Sequence, residues 1–396
     1  MRILILHRIS NDLVRYQDGI SAAHDVTWVG VPDRMAALPA ELPGTRIVRP
    51  GTGDTAAEVL AAAAGLAAFD LVVALSEYDL LAAAQVREAL GVGGDRVADV
   101  LPVRDKTVMK AAVAAAGLRV PRFAALPAAR FAGVPWTGPT VVKPVDGASS
   151  QDVFRYPDAE SALAAPVPGE PVRFEVEEFV DGPILHVDGL MAGGEPVAIQ
   201  ASRYLGTCLA YAEGDPLGSV QVDTTPELTR WALDCLAAVG ISDGLFHLEG
   251  FQTPDGLVFL EVGARFGGGD IVGTFELATG LHLPSAWLRV LTGSAVPAPQ
   301  LTGERYGMFV WPGHRLGAGH CEIVGADPFA ASPLAWRWVQ RTPGEPIARA
   351  ISYSDTDVPL AGIVGPGTTA QLEDFLRSAF ATITVTAAGL AAASRR

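Results

Sequence analysis

The stretch FLEVGARFGGGDIVG, residues 259–273, places an acid and an arginine in an otherwise apolar segment and then runs into three glycines. Successive side chains of a β-strand point to opposite faces, so Glu261, Gly263 and Arg265 are expected to share one face. Phe259 continues that face, and the opposite face takes Leu260, Val262 and Ala264. Taken alone, two opposite charges so placed favour a structural ion pair over a ligand site.

The segment before it predicts a hairpin. Residues 244–253 and 257–265 read as two strands joined by a turn at Pro254-Asp255-Gly256, so Glu249, which shares a face with His247, can lie opposite Glu261. Two carboxylates that face each other in a partly dry site repel unless a cation lies between them. Oxygen ligands of this kind suit Mg²⁺, and an adjacent arginine such as Arg265 matches a phosphate oxygen.

Two upstream segments have the residue types of a nucleotide site. Lys143 ends the apolar run TVVK and precedes the Gly/Ser loop DGASS, so an ammonium group and backbone N–H groups converge, as in phosphate sites. The segment EVEEFVDG (175–182) ends a strand with a chain reversal, whose backbone groups can pair with a flat heterocycle. For each segment alone, a lysine at a strand edge and an ordinary acidic strand end are the alternatives.

The bulk composition fits a protein that binds small molecules. The 396 residues carry a net charge of −15, whereas a nucleic-acid surface needs a basic footprint, so no nucleic-acid partner is expected. The cysteines (Cys208, Cys235 and Cys321) form no C-x-x-C pair, and no histidine spacing indicates a transition-metal site. No apolar run reaches transmembrane length, so we expect a cytoplasmic location and no membrane partner.

The order of segments predicts an α/β (α+β) protein. Residues 1–95 alternate strand-like and helix-like segments, which is typical of a parallel sheet. Residues 138–206 read as strands and hairpins, with Gly193-Gly194 as one turn. Residues 293–304 read as a linker, and the strand-like segments beyond it lie near 306–311, 320–324, 347–353 and 361–364.

Taken together and in this order, five segments resemble the ATP-grasp carboxylate–amine ligases, in particular the amino-acid and dipeptide ligase branch. They are RDKTVMKAAVAAAGLRVPRF, VVKPVDGASSQDV, EVEEFVDG with HVDGL, HLEGF and EVGARFGGGDI, and the resemblance covers residues 1–295. It implies an N-terminal Rossmann-like domain at 1–100 and a two-lobed antiparallel-sheet ATP-binding domain at 101–295. The lid lobe then lies at about 120–185, and a small C-terminal α+β domain at 296–396.

The resemblance also implies roles for individual residues. Lys106 and Lys143 match the lysines that hold the α- and β-phosphates, and Arg265 matches the arginine that stabilises the acyl phosphate. Glu249 and Glu261 match the carboxylates that bind Mg²⁺, with Mn²⁺ as the alternative ion. The mobile loop over the triphosphate includes Gly147, Ser149 and Ser150, and the hinge that reads adenine includes Glu177, Glu178, Phe179 and Val180.

The sequence departs from the family pattern at two positions. The family motif E-x-N-x-R has an asparagine where this chain has Gly263, which puts a second Mg²⁺ in question. The family's ribose-binding acid after the hinge glycine is also absent, and His186 or Asp188 is the candidate substitute.

Substrate-binding candidates lie around these motifs. Gly268 and Gly269 precede a helix expected after Asp270, whose N-terminus can hold a carboxylate. The others are Glu77 at the carboxyl end of a parallel strand, Arg203 as a carboxylate partner, Glu213 as an ammonium partner, and His314 with Arg315. For Gly268 and Gly269 the alternative is a plain strand-to-helix turn, and for Glu77 it is an acid at a helix N-terminus. For Arg203 and Glu213 the alternative is a solvated surface position.

The implied activity is ATP-dependent amide formation between a small carboxylic acid or amino acid and an amine or amino acid. It proceeds through an acyl phosphate and releases ADP and phosphate. The alternatives are an ATP-grasp carboxylase or transformylase and a non-catalytic ATP-binding regulatory protein, which Gly263 keeps open. A homodimer is common among such folds, although nothing in the sequence fixes it.

Overall fold

The computed structural model describes residues 1–388. The strands are β1 (Arg2–Leu6), β2 (Asp25–Gly30), β3 (Thr45–Val48), β4 (Leu71–Ala74), β5 (Phe123–Ala125), β6 (Thr140–Pro144), β7 (Phe154–Tyr156), β8 (Phe174–Glu178), β9 (Ile184–Ala192), β10 (Glu195–Leu205), β11 (Leu217–Gln221), β12 (Gly244–Thr253), β13 (Gly256–Gly263), β14 (Arg305–Trp311), β15 (Cys321–Val324), β16 (Ala335–Gln340), β17 (Leu360–Gly367) and β18 (Thr384–Ala387). The helices are α1 (Asn11–Val14), α2 (Tyr16–Gly19), α3 (Pro32–Ala36), α4 (Thr55–Ala63), α5 (Leu80–Leu90), α6 (Val97–Val100), α7 (Lys106–Ala115), α8 (Leu126–Ala132), α9 (Ala159–Ala164), α10 (Cys208–Glu213), α11 (Pro226–Ala238), α12 (Ile271–Thr279), α13 (Leu283–Leu291), α14 (Asp327–Ala330) and α15 (Thr369–Thr382).

The N-terminal part is a parallel sheet in the order β3-β2-β1-β4, as its alternating pattern predicts. Its central strand is buried on both faces, because Ile3 and Ile5 join one apolar cluster and Leu4 and Leu6 join another. Ligands of open α/β sheets bind beyond the carboxyl ends of the strands. The loop after β4, which carries Glu77, is at such an end and lines the central cavity.

Besides the two-stranded antiparallel pair β15-β18, two antiparallel sheets lie within residues 1–388. The smaller has the order β5-β8-β6-β7, and the larger has the order β13-β12-β9-β10-β11-β14-β17-β16. The larger sheet runs across the predicted boundary at 295/296, because β14 pairs with β11. No helix within residues 1–388 is long and apolar enough to cross a membrane.

The structure corrects two local predictions. Residues 347–353 form no strand in the described chain, because Ser352 Oγ donates to Asp357 Oδ2 at 2.8 Å and the backbone turns there. Phe259 does not continue the face of Glu261, because a β-bulge pairs Glu249 with Glu261 but Gly250 with Phe259. Leu260 is the extra residue, and it lines the cavity while Phe259 is buried in the core.

Candidate active site

The elements meet around one cavity of about 1150 Å³, which is large enough for a nucleotide and further small molecules. Most of the residues singled out from the sequence line it. They are Glu77, Lys106, Lys143, Gly147, Ser149, Ser150, Glu177, Glu178, Phe179, Val180, Glu249, Glu261, Arg265, Gly268 and Gly269.

An opposed pair of carboxylates forms the centre of the site. Glu249 on β12 lies directly opposite Glu261 on β13, as the predicted hairpin requires. Lys106 Nζ lies 3.2 Å from Glu261 Oε2. Burial alone would raise the pKa of Glu261, but the charges of Lys106 and Lys143 outweigh it and lower the pKa to about 2. Glu261 therefore offers an ionised carboxylate to the cavity, and the oxygens of the two acids form a donor set that fits Mg²⁺.

A buried polar network supports Glu249 from behind. Its Oε1 accepts a hydrogen bond from Tyr204 Oη at 2.9 Å and lies 3.1 Å from Nε2 of His247. Asp188 contacts Nδ1 of His247 at 2.8 Å and Nδ1 of His186 at 2.6 Å. Burial would lower the pKa of His247, but the Asp188 charge and the hydrogen bonds to both acids raise it to about 9.

The same network concerns two expectations from the sequence, one about a histidine metal site and one about the residue that binds ribose. His186, Asp188 and His247 come close enough to hold a metal ion, although no histidine spacing predicted such a group. Their contacts of 2.6 and 2.8 Å are those of direct hydrogen bonds, which account for the cluster without an ion. Asp188 and His186 do not line the cavity, so neither side chain is brought to the predicted ribose position.

The two predicted phosphate lysines are held differently. Lys106 begins α7, whose N-cap Asp105 accepts from the backbone of Thr107, and its Nζ donates to Gly147 O at 2.7 Å. Lys143 on β6 contacts Glu177 Oε1 at 2.8 Å. Burial would lower the pKa of Lys143, but the acids around it raise that pKa above its usual range. Lys143 therefore enters the cavity as a cation.

Behind Lys143 lies a buried ionic group that the sequence did not reveal. Lys110 is fully buried, and its Nζ contacts Glu175 Oε1 at 2.7 Å and Glu177 Oε2 at 2.6 Å. With Lys143 the group has two lysines and two acids. Only the helical spacing of Lys106 and Lys110, which puts both on one face of α7, could have indicated it.

The predicted loop and hinge flank the phosphate lysines. In the loop, Ser149 and Ser150 have φ values of 58° and 53°, a left-handed conformation that costs energy for residues other than glycine. In the hinge, Glu178 pairs with Arg122 and Phe179 N donates to Pro139 O at 2.9 Å. The Glu178 side chain and the Phe179 N–H group are thus already bound within the protein.

The far end of the cavity lies beyond the glycine run. Helix α12 begins after Asp270, as predicted, and Asp270 pairs with Arg337 from β16. Arg337 Nη1 also contacts Asp355 Oδ2 at 2.6 Å, in the loop that follows residues 347–353. All three side chains line the cavity, and Arg337 was not predicted there.

Other candidates lie outside the cavity. Arg203 on β10 pairs with Glu373 on α15, and Glu213 is exposed at the end of α10. His314 Nε2 lies 3.0 Å from the carbonyl oxygen of Ala212, and Arg315 donates to the same oxygen. The structure therefore does not bring these four candidates together with the carboxylate pair.

Comparison with known proteins bears on the fold. No known family profile matches the sequence. The L-arginine-specific L-amino acid ligase of Bacillus subtilis is 27% identical over 259 residues, which is 59% of this chain and 60% of that protein. The chain thus matches less than two thirds of that relative's length.

Solved structures are similar over almost the whole chain. The L-amino acid ligase from Bacillus licheniformis aligns over 98% of both chains with a TM-score of 0.70 and 21% identity. N5-carboxyaminoimidazole ribonucleotide synthetase from Thermotoga maritima aligns over 98% of this chain and 99% of its own, with a TM-score of 0.65 and 15% identity. The Staphylococcus aureus N5-carboxyaminoimidazole synthetase complexed with ADP aligns over 96% of both chains, with a TM-score of 0.67 and 13% identity. These likenesses confirm the predicted fold class.

Proposed function

We propose that this chain, which has the fold of the ATP-grasp carboxylate–amine ligases, forms an amide bond between an amino acid or other small carboxylic acid and an amine or second amino acid. ATP drives the reaction through an acyl phosphate and leaves as ADP and phosphate. The observation that carries the proposal is the convergence of an opposed carboxylate pair, two lysines and Arg265 on one cavity.

In the first step, a carboxylate oxygen of the substrate attacks the γ-phosphorus of ATP, and the bond from that phosphorus to the bridging oxygen of ADP breaks. Lys106 and Lys143 neutralise phosphate charge and hold the triphosphate in position for the attack. Positioning and charge neutralisation are the main tasks in phosphoryl transfer. Glu249 and Glu261 are the residues that would hold Mg²⁺, which when bound offsets negative charge on the phosphate oxygens.

In the second step, the amine attacks the acyl carbon, and the bond from that carbon to the phosphate oxygen breaks. The amine loses a proton, and the amide and inorganic phosphate leave. Arg265 is positioned to offset the charge on the acyl phosphate and its transition state. The loop at 146–151 would exclude water from the acyl phosphate.

A two-part assay tests the proposal. Hydroxylamine, a small amine, should trap the acyl phosphate as a hydroxamate when ATP, Mg²⁺ and the correct amino acid are present. Mass spectrometry of reactions with paired amino acids should then detect an amide product. Nucleotide binding without ADP formation for any acid–amine pair would favour the regulatory alternative. ADP formation that requires bicarbonate or formate would favour the carboxylase or transformylase.

A further inference from the structure

Glu77 joins two arginines at the wall of the cavity. Its Oε2 accepts a hydrogen bond from Nε of Arg265 at 2.7 Å, and its Oε1 pairs with Nη1 of Arg104. The Glu77 side chain is 12% exposed and that of Arg104 is 7% exposed. Two guanidinium groups therefore already pair with this carboxylate. Burial would raise the pKa of Glu77, but Arg265 and Arg104 outweigh it and lower that pKa.

The contact between Glu77 and Arg265 depends on the glycine that departs from the family motif. A Cβ atom added at Gly263 would lie 3.3 Å from Cγ of Arg265 and 3.5 Å from Oε2 of Glu77. A methyl group fits there only in tight contact, and a longer side chain would need the space that the ion pair fills. Gly263 therefore leaves room for Arg265 to pair with Glu77, which follows strand β4 of the N-terminal sheet.

The second arginine extends the chain of contacts to the phosphate loop. Nη2 of Arg104 donates to the carbonyl oxygen of Asp146 at 2.7 Å, and Asp146 immediately precedes Gly147. On the other side, Nη1 of Arg265 donates to the carbonyl oxygen of Phe266 at 2.8 Å. The Arg265 guanidinium is thus fixed by the protein through two of its nitrogens.

We propose that Glu77 is a positioning residue, which orients Arg265 for the acyl phosphate and links it through Arg104 to the base of the phosphate loop. This inference rests on the proposed function, in which Arg265 acts on the transition state. A guanidinium that is oriented before the reaction needs no reorganisation when charge develops, and a misplacement of about 1 Å can cost about 100-fold in rate. Glu77 contributes through Arg265 and not by binding the nucleotide.

Glu77→Gln keeps the shape of the side chain and removes its charge. In the hydroxamate assay we expect kcat to fall about 100-fold, with KM for ATP unchanged, since only the transition-state interaction is lost. Glu58→Gln is the matched control, because Glu58 is also 12% exposed, pairs with Arg49 in the same N-terminal part and lies outside the cavity. It should lower stability without lowering kcat.

A double-mutant cycle with Arg265→Ala separates positioning from a general structural effect. If Glu77 acts through Arg265, then Glu77→Gln should cause no further loss in the Arg265→Ala background. Wild-type kcat in Glu77→Gln, or losses that multiply in the double variant, would overturn the inference. A different result would contradict the proposed function itself: the parent protein would form no hydroxamate with any acid.

The series at position 263 provides a test that leaves Glu77 and Arg265 intact. Gly263→Asn should reproduce most of the loss in kcat, and Gly263→Ala should cause a smaller one, because only the longer side chain must displace the ion pair. Circular dichroism and unchanged affinity for ADP would establish that the Asn variant is folded. A folded Gly263→Asn protein with wild-type kcat would also contradict the inference.

Discussion

His247 lies directly opposite Gly263 in the β12–β13 pair, and its Nε2 lies 3.1 Å from Oε1 of Glu249. The imidazole therefore occupies the strand position that faces the missing asparagine of the family motif. Nδ1 of His247 lies 2.8 Å from Oδ1 of Asp188, so the imidazole links Glu249, a candidate metal ligand, to a second buried acid. Groups that hydrogen-bond a ligating carboxylate fix its orientation and its basicity.

His247→Asn should therefore weaken divalent-ion binding. Loss of a hydrogen-bonding partner of a metal ligand typically costs about 10–100-fold in affinity, and we expect a loss of this size for Mn²⁺ in the presence of ADP. Electron paramagnetic resonance titration of free Mn²⁺ measures it without turnover. His320→Asn, at an exposed position outside the cavity, is the control. Parent-like Mn²⁺ affinity in His247→Asn would contradict the supporting role of the network.

Arg265 is expected to act on the transition state and not on nucleotide binding. Arg265→Ala should lower kcat by about 100–1000-fold, the usual loss when a preorganised donor to developing charge is removed. Affinity for ADP, measured by isothermal titration calorimetry, should stay close to that of the parent. An Arg265→Ala protein with normal turnover would refute the role assigned to this residue.

The local pattern of the sequence predicted the parts of the site that depend on short-range geometry. The hairpin and its turn near Pro254–Gly256 were predicted from local signals, but the turn pairs Thr253 with Gly256, so the meeting of Glu249 and Glu261 also requires the bulge at Leu260. Helix α5 ends at Leu90, and Gly91, a residue type favoured just after helices, caps it with a φ of 67°. Such features depend on neighbours along the chain.

The parts that the sequence did not reveal depend on contacts between distant segments. The bulge at Leu260 breaks the alternation that placed Phe259 beside Glu261. The buried group around Lys110 needs α7 packed on the small sheet, 65 residues away along the chain at Glu175. Asp188 and His247 meet because β9 pairs with β12, a pairing that no local pattern specifies.

The Lys110 group should matter more for stability than for turnover. Removing one member of a buried ion pair leaves an uncompensated charge and typically costs about 3–5 kcal/mol, so Lys110→Met should lower the free energy of unfolding by this amount. Urea unfolding measures the change. Arg2→Gln is the control, since Arg2 and Asp25 are 53% and 69% exposed, and such surface pairs contribute at most about 1 kcal/mol. Equal effects of the two substitutions would contradict the prediction.

Glu177 should make stability depend on pH in the acid range. Burial would raise its pKa, but Lys110 and Lys143 outweigh it and lower the pKa from 4.5 to about 2. Because the unfolded chain binds this proton more readily, the contribution of Glu177 is present above about pH 4.5 and is lost as the pH falls towards 2. In urea titrations across this window, the unfolding free energy of Glu177→Gln should fall less steeply than that of the parent. Burial raises the pKa of Glu175, so Glu175→Gln should instead steepen the fall, and the same slope in all three proteins would refute the assignment.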